Sequence, residues 1–254
     1  MKTSRQKGWR TVCGGCNSSW NNSPVSCRFA RQMHNPVHHI ILSNIFWMSP
    51  DRSLFWEEQN TLIVTDLHLG KTGHFRKEGI AVPQKVYTTD LQRLMAALYF
   101  FKAERLIIVG DFTHSTQNKE LDLFLKWRRD FSQLQIDLVK GNHDILDEDW
   151  YAAGNVTLHP WQLEIGPFGF RHEDKRYQKV YADARALYTF SGHVHPAFRI
   201  SGKGKQSLKF PCFYFKKDSC ILPAFSHFTG GYLVAPLKDE MVYAIVENTV
   251  MKMV

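Results

Sequence analysis

The chain has 254 residues, 44% of them hydrophobic, which is enough to bury a sizeable core without disulfide or metal staples. No run approaches 18 consecutive apolar residues, so no transmembrane helix and no membrane partner is expected. Net charge is +8, yet Lys2, Arg5, Lys7, Arg10, Arg28 and Arg31 all fall within residues 1–40, a stretch with no Asp or Glu; setting those six aside leaves 26 basic against 24 acidic residues, and the high pI is no argument for a nucleic-acid-binding face on the folded domain.

Residues 1–36 are rich in Ser, Asn, Gly and Arg and lack apolar periodicity, which predicts a disordered basic extension ahead of a single domain over residues 37–254. Cys13 and Cys16 in that extension form a C-x-x-C without the second ligand pair of a zinc site or the strand–helix frame of a redox motif. With Cys27, Cys212 and Cys220 the cysteine count is odd, and the expected compartment is a reducing one, the cytoplasm.

The texture changes at His39. His39–Met48 and Ser53–Glu57 read as short strands joined at Ser49–Pro50–Asp51. Thr61–Asp66 is an apolar strand ending in a carboxylate. Pro83 suits the first turn of a helix running to Phe101, with Leu91, Leu94, Met95 and Leu98 at helical spacing. Arg105–Gly110 is a strand ending at Asp111, Gln117–Leu134 a helix, and Ile136–Lys140 a strand ending at Gly141-Asn142-His143-Asp144. Alternating strands and helices predict parallel βαβ units whose strand ends carry the polar residues. The second half reads as short strands, at Val156–Leu158, Gln162–Ile165, Phe168–Arg171, Ala186–Phe190, Phe198–Ser201, Leu208–Phe215, Tyr232–Pro236 and Met241–Glu247. One sheet from each half, packed face to face, is the predicted architecture.

Five short motifs follow these strands: Asp66-x-His68, Gly110-Asp111-x-x-His114, Gly141-Asn142-His143-Asp144, Arg171-His172 and Gly192-His193-x-His195. Each is weak alone; their joint order, each after an apolar strand, is specific. Hydrolysis of a phosphate ester needs charge stabilisation and a nucleophile made from water, and two metals about 3.5–4 Å apart supply both. Two close cations need a bridging anion, for which Asp111 is the candidate. Mixed Asp, Asn and His donors suit Mn, Fe or Zn better than Ca or Mg. With formal charges of −2 from Asp66 and Asp111 against two divalent ions, the site attracts a phosphate without a basic surface.

This set of motifs resembles the signature of the calcineurin-like metallophosphoesterase superfamily, from about residue 40 onward. The resemblance implies an α/β fold, a four-layer αββα sandwich with two mixed β-sheets. It implies that Asp66, His68 and His195 hold one metal, that Asp111 bridges, and that Asn142, His172 and His193 complete the second. His172 rests on one residue, with His159 and His227 as competitors. By the same resemblance His143 protonates the leaving oxygen or stabilises the phosphoryl charge, and Asp144 orients its ring. The segments "DLHLGKTGHFRKEGIAVP", "GDFTHS", "GHVHP" and "LPAFSHFTGGY" are similar to the ligase-associated DNA damage response endonuclease group (PdeM-type, ICC-like phosphoesterases), although the basic tail departs from that group. This closer likeness implies a phosphodiesterase or nuclease on DNA, working with an ATP-dependent DNA ligase, a helicase and an exonuclease. Lys71, His74, Arg76 and His114 are candidate phosphate contacts. A small-molecule or nucleotide phosphatase or pyrophosphohydrolase on the same metals is the alternative.

Overall fold

The computed structural model describes residues 35–71, 85–114, 119–173, 185–202, 206–227 and 229–254. Most of the predicted basic extension, with Cys13, Cys16 and Cys27, lies outside them, as do His74 and Arg76.

The first sheet has seven strands in chain order: β1 (Val37–Ile41), β2 (Asn44–Met48), β3 (Leu54–Trp56), β4 (Thr61–Val64), β5 (Arg105–Val109), β6 (Gln135–Val139) and β7 (Val156–His159). β1 to β4 pair antiparallel and β4 to β7 parallel. The parallel part is built from crossovers through α1 (Lys85–Phe101), α2 (Lys119–Asp130) and the short α3 (Glu148–Ala153). His39–Met48 is thus two strands and not one. Leu42 and Ser43 turn the chain with φ of 47° and 65°, a tight hairpin geometry in which Asn-Gly is the usual signal.

The second sheet is also mixed, in the order β14-β11-β12-β13-β10-β9-β8, with β15 on β12 and β16 on β15. Its members are β8 (Leu163–Ile165), β9 (Phe168–Arg171), β10 (Tyr188–Ser191), β11 (Pro196–Ser201), β12 (Ser207–Phe215), β13 (Ser219–Ile221), β14 (Tyr232–Leu233), β15 (Met241–Val246) and β16 (Thr249–Lys252). The predicted α/β class with two mixed sheets is the one observed. β7, read with the second half, belongs to the first sheet, because its register matches β6.

Alternation along the strands explains the layering. Leu62, Val64, Leu106, Ile108, Ile136 and Leu138 face the helices, meeting Leu94, Leu98, Phe124 and Tyr151. Ile63, Ile107, Val109 and Val139 face the other way, onto Phe168, Phe170, Phe190, Phe213 and Phe215 of the second sheet. Phe213 and Phe215 are therefore core, and the three α-helices of the described residues lie outside the first sheet.

One buried charge interrupts this pattern. Asp137 of β6 receives Arg105 Nε at 2.8 Å, Gln135 Nε2 at 3.0 Å and lies 2.8 Å from His159 Nε2. Burial opposes its ionisation, but the bonds from His159 and Arg105 hold its pKa below the ordinary value. A depressed carboxyl adds stability that is complete above the unfolded value of about 3.9 and is lost as pH falls through the folded one. Asp137→Asn is expected to lower stability at neutral pH by about 2–3 kcal/mol, or roughly 5–10 °C in Tm. The difference from the parent should vanish in denaturation curves taken well below pH 4; equal Tm values at pH 7 would refute this role.

Candidate metal centre

The motifs converge where β4, β5, β6, β9 and β10 end. Backbone bonds zip the loops together: Asp66 N–H donates to Gly110 O (3.1 Å), His68 N–H to Asp111 O (2.9 Å) and Leu69 N–H to Phe112 O (2.8 Å). From the other sheet Gly192 N–H donates to His172 O (3.2 Å). Asp66, His68, Asp111, His193 and His195 all have left-handed backbone, with φ between 48° and 64°. Such strain costs an L-residue roughly 1–2 kcal/mol and persists where the surroundings enforce it, typically at functional sites. Two glycines make the approach possible. A Cβ at Gly110 (φ 78°) would overlap the His172 ring, and one at Gly192 would collide with Thr65 Oγ1.

Two donor clusters result, Asp66–His68–His195 and Asp111–His172–His193, with the ligand atoms of each within 4.8 Å of one another. In the first, His195 Nε2 lies 3.2 Å from Asp66 Oδ1. Asp66 Oδ1 and His68 Nε2 are buried without a hydrogen bond. Leaving such atoms unsatisfied costs about 1–3 kcal/mol each, a cost that a cation between them removes. In the second cluster His172 Nε2 is 3.3 Å from Asp111 Oδ2, 3.3 Å from Asn142 Oδ1 and 3.1 Å from His193 Nδ1. Its Nδ1 faces Val109 O at 3.1 Å, which fixes the ring with Nε2 turned to the other donors. The predicted Asn142 thus joins this cluster. The competitors lie elsewhere: His159 on Asp137, and His227 with Nδ1 3.9 Å from Asp90.

The two clusters are coupled. His193 N–H donates to Asp66 Oδ2 (3.1 Å), and His143 N–H to Asp111 Oδ1 (3.0 Å). Asp111 therefore spends one oxygen on the backbone and turns the other to the ligands. Burial works against ionisation of Asp66 and Asp111, which are 0% and 2% exposed. The neighbouring imidazoles, His195 at Asp66 and His172 at Asp111, overcome it and hold both below the ordinary carboxylate value. Burial pushes His68 down to about 3 despite Asp66, so its ring is neutral and free to donate a nitrogen lone pair. Burial also opposes protonation of His172, but its contact with Asp111 and the charges of Asp66 and Asp111 push it up to about 9. Buried carboxylates and imidazoles in two mixed oxygen–nitrogen sets fit two divalent cations of the Mn, Fe or Zn type.

Of the candidate phosphate contacts, Lys71 is half-buried and feels the charges of Asp111 and Asp66. His114 Nδ1 is 3.3 Å from His68 Nδ1, and its ring lies 4.4 Å from that of His143. The structure gives Asp144 a different task from orienting the His143 ring: Oδ1 accepts from Thr113 N–H and Oδ2 from Gly141 N–H, both at 2.8 Å. It braces two ligand loops. Burial, with Asp111 nearby, raises its pKa to about 6 against those bonds.

Three contributors receive no role from the sequence alone, although the third lies in the LPAFSHFTGGY segment that carries the family likeness. Glu173 Oε1 lies 2.7 Å from His193 Nε2, a carboxylate steadying a ligand imidazole from behind; it follows His172 directly, but nothing in that adjacency reveals the contact. Thr65 Oγ1 lies 2.8 Å from Asp66 Oδ2 and 2.7 Å from Val109 O. The third is the segment after β13. Phe225 N–H donates to Thr65 O and Ser226 N–H to Asp66 O, while Arg52 and Arg93 clamp its carbonyls at Ala224, Phe225 and Ser226. Glu173→Gln is expected to weaken metal affinity roughly 10- to 100-fold, read by titrating metal into metal-free protein. Affinity equal to the parent would show that Glu173 only touches the site.

Two sets of oxygen and nitrogen donors at the carboxyl ends of parallel strands, between two mixed sheets, are the makings of a metal-dependent hydrolytic centre. The model of the calcineurin-like phosphoesterase family matches residues 60–218, and the chain belongs to that family: it is a metal-dependent phosphoesterase. Among solved structures it is similar to the Pseudomonas putida nuclease MPE, with 27% identity, 86% of this chain and 100% of that one covered, and a TM-score of 0.72. A protein of unknown function from Aquifex aeolicus, AQ665, matches at 18% identity over 57% of this chain and 82% of its own, with a TM-score of 0.39. No curated protein matched.

Proposed function

We propose that the protein is a dinuclear-metal phosphodiesterase that cleaves DNA. The observation that carries this reading is the pair of coupled donor clusters, each with a buried carboxylate, in a chain whose fold extends over the whole of a nuclease structure. Asp66, His68 and His195 would hold one cation, Asn142, His172 and His193 would hold the other, and Asp111 would be shared between them. When bound, such cations, Mn in our reading, would supply polarisation of the phosphate and a lowered pKa for the attacking water. The chain's own contributions are orientation and proton transfer. Asp144 and the Thr113 and Gly141 N–H groups fix the loops, Asp111 Oδ1 fixes the His143 backbone, and the His143 ring N–H supplies a proton to the leaving oxygen. In this reading Lys71 and His114 neutralise phosphate oxygens. His74 and Arg76, outside the described residues, are proposed to join them.

In this reading the enzyme works in the cytoplasm in DNA repair, beside an ATP-dependent ligase, a helicase and an exonuclease, as the family resemblance suggests. The test is hydrolysis of bis(4-nitrophenyl) phosphate and of single-stranded or nicked DNA with added Mn. Turnover of both is the expected result. Rapid monoester hydrolysis with no activity on any diester would overturn the reading in favour of a small-molecule phosphatase.

A further inference from the structure

Beside the first donor cluster lies a cleft of about 220 Å³, whose wall includes His195 itself. Apolar residues in its lining are Pro196, Ala197, Pro211 and Ala224, joined by Thr229–Gly231. The charged residues lining it are Arg52 and Lys209, with no acid among the described lining residues. The volume is below the ~300–1,000 Å³ of a typical small-molecule site.

Both cations are placed in ways that a protein alone does not favour. Arg52 has a left-handed backbone (φ 66°), and its Nη1 is pinned to Ala224 O (3.3 Å) and Ser226 O (2.9 Å). Burial and the nearby Arg93 push its pKa down to about 10, with Asp90 opposing; an anion would relieve that guanidinium. Lys209 is exposed on β12 and stands directly opposite Arg199 of β11. Like charges at directly paired positions are unfavourable in a sheet. This pair shares a face with Ala197 and Pro211 by strand alternation, so it continues the basic lining away from His195. His195 to Arg199 is four residues of chain, about 13 Å when extended.

Resting on the phosphodiesterase reading above, we infer that this cleft and the Arg199–Lys209 pair bind the backbone phosphates flanking the scissile one. The preferred substrate is then a polynucleotide strand that leaves the metal centre along β11. Neither a simple phosphomonoester nor a bis-aryl phosphodiester has a flanking phosphate to offer these groups.

The test compares Lys209→Glu with the parent on bis(4-nitrophenyl) phosphate and on a labelled DNA oligonucleotide, both with Mn. The ratio of kcat/KM on DNA to kcat/KM on the bis-aryl ester is expected to fall tenfold or more. The dependence of log Kd for DNA on log salt should lose about one unit of slope. Lys217→Glu, the same charge change beyond the other end of β12, should keep the parent ratio. For the parent, replacing the flanking linkages by neutral methylphosphonates should slow cleavage of the oligonucleotide as much as Lys209→Glu does. The inference is overturned if Lys209→Glu depresses both substrates equally, if ratio and slope stay at parent values, or if the parent turns over the bis-aryl ester but no oligonucleotide. A parent inactive on every diester removes the phosphodiesterase reading, and the subsite with it.

Discussion

Asp111→Ala is expected to bind no more than one metal ion per chain and to lose at least three orders of magnitude in kcat/KM. The carboxylate is buried, turns Oδ2 to His172 and takes the His143 N–H on Oδ1. Losing it leaves the second cluster, His172 and His193, without its own carboxylate donor. A metal contributes several kcal/mol of transition-state charge stabilisation, and each 1.36 kcal/mol is tenfold in rate. Elemental analysis after desalting counts the ions directly. A second readout is thermal: a ligand at 100 times its Kd stabilises by about 2.7 kcal/mol, so Mn should raise the Tm of the parent far more than that of the variant. Two tightly held ions in Asp111→Ala would show that the bridging assignment is wrong.

His143→Ala should behave in the opposite way. Its ring belongs to neither donor cluster, and the backbone N–H that serves Asp111 survives the substitution. Metal content and the thermal response to Mn should match the parent, while kcat falls about 100- to 10,000-fold, the usual contribution of a positioned general acid. The loss should be smaller on an ester with a good leaving group, such as bis(4-nitrophenyl) phosphate, which needs little protonation. Turnover of DNA at the parent rate would rule out the role assigned to His143.

The donor set was legible because each donor but one sits in a short motif that ends or follows an apolar strand. Asp66 and Asp111 follow four- and five-residue runs that are buried almost throughout, and a carboxylate after such a run has few structural reasons to be there. His172 stood on one residue, and its place depends on Val109 O, 63 residues earlier. Glu173, Arg52 and Arg93 were invisible for the same reason. Arg52 reaches Ser226 across 174 residues and Arg93 reaches Phe225 across 132, and no local pattern announces such partners. The hairpin at Leu42–Ser43 was hidden because neither residue is a usual turn former. The short β13 and β16 and the six-residue α3 carry too few residues for a periodicity to emerge. Asp144 was assigned through its neighbour in sequence, whereas the fold uses it between loops.

The long reach of these contacts has a consequence for how the enzyme comes into being. Asp66 is completed by His193 and His195, and its loop is fastened by Ser226. Four of the seven donors therefore emerge from the ribosome well before the other three, and a nascent chain that has reached only residue 150 carries half a site on an uncovered first sheet. Neither cluster can close until the second sheet docks and the clamp at 224–226 is in place. Biosynthesis thus holds a safeguard of its own: a chain that has not yet reached residue 193 lacks donors of both clusters, so the hydrolytic centre cannot assemble ahead of the second sheet.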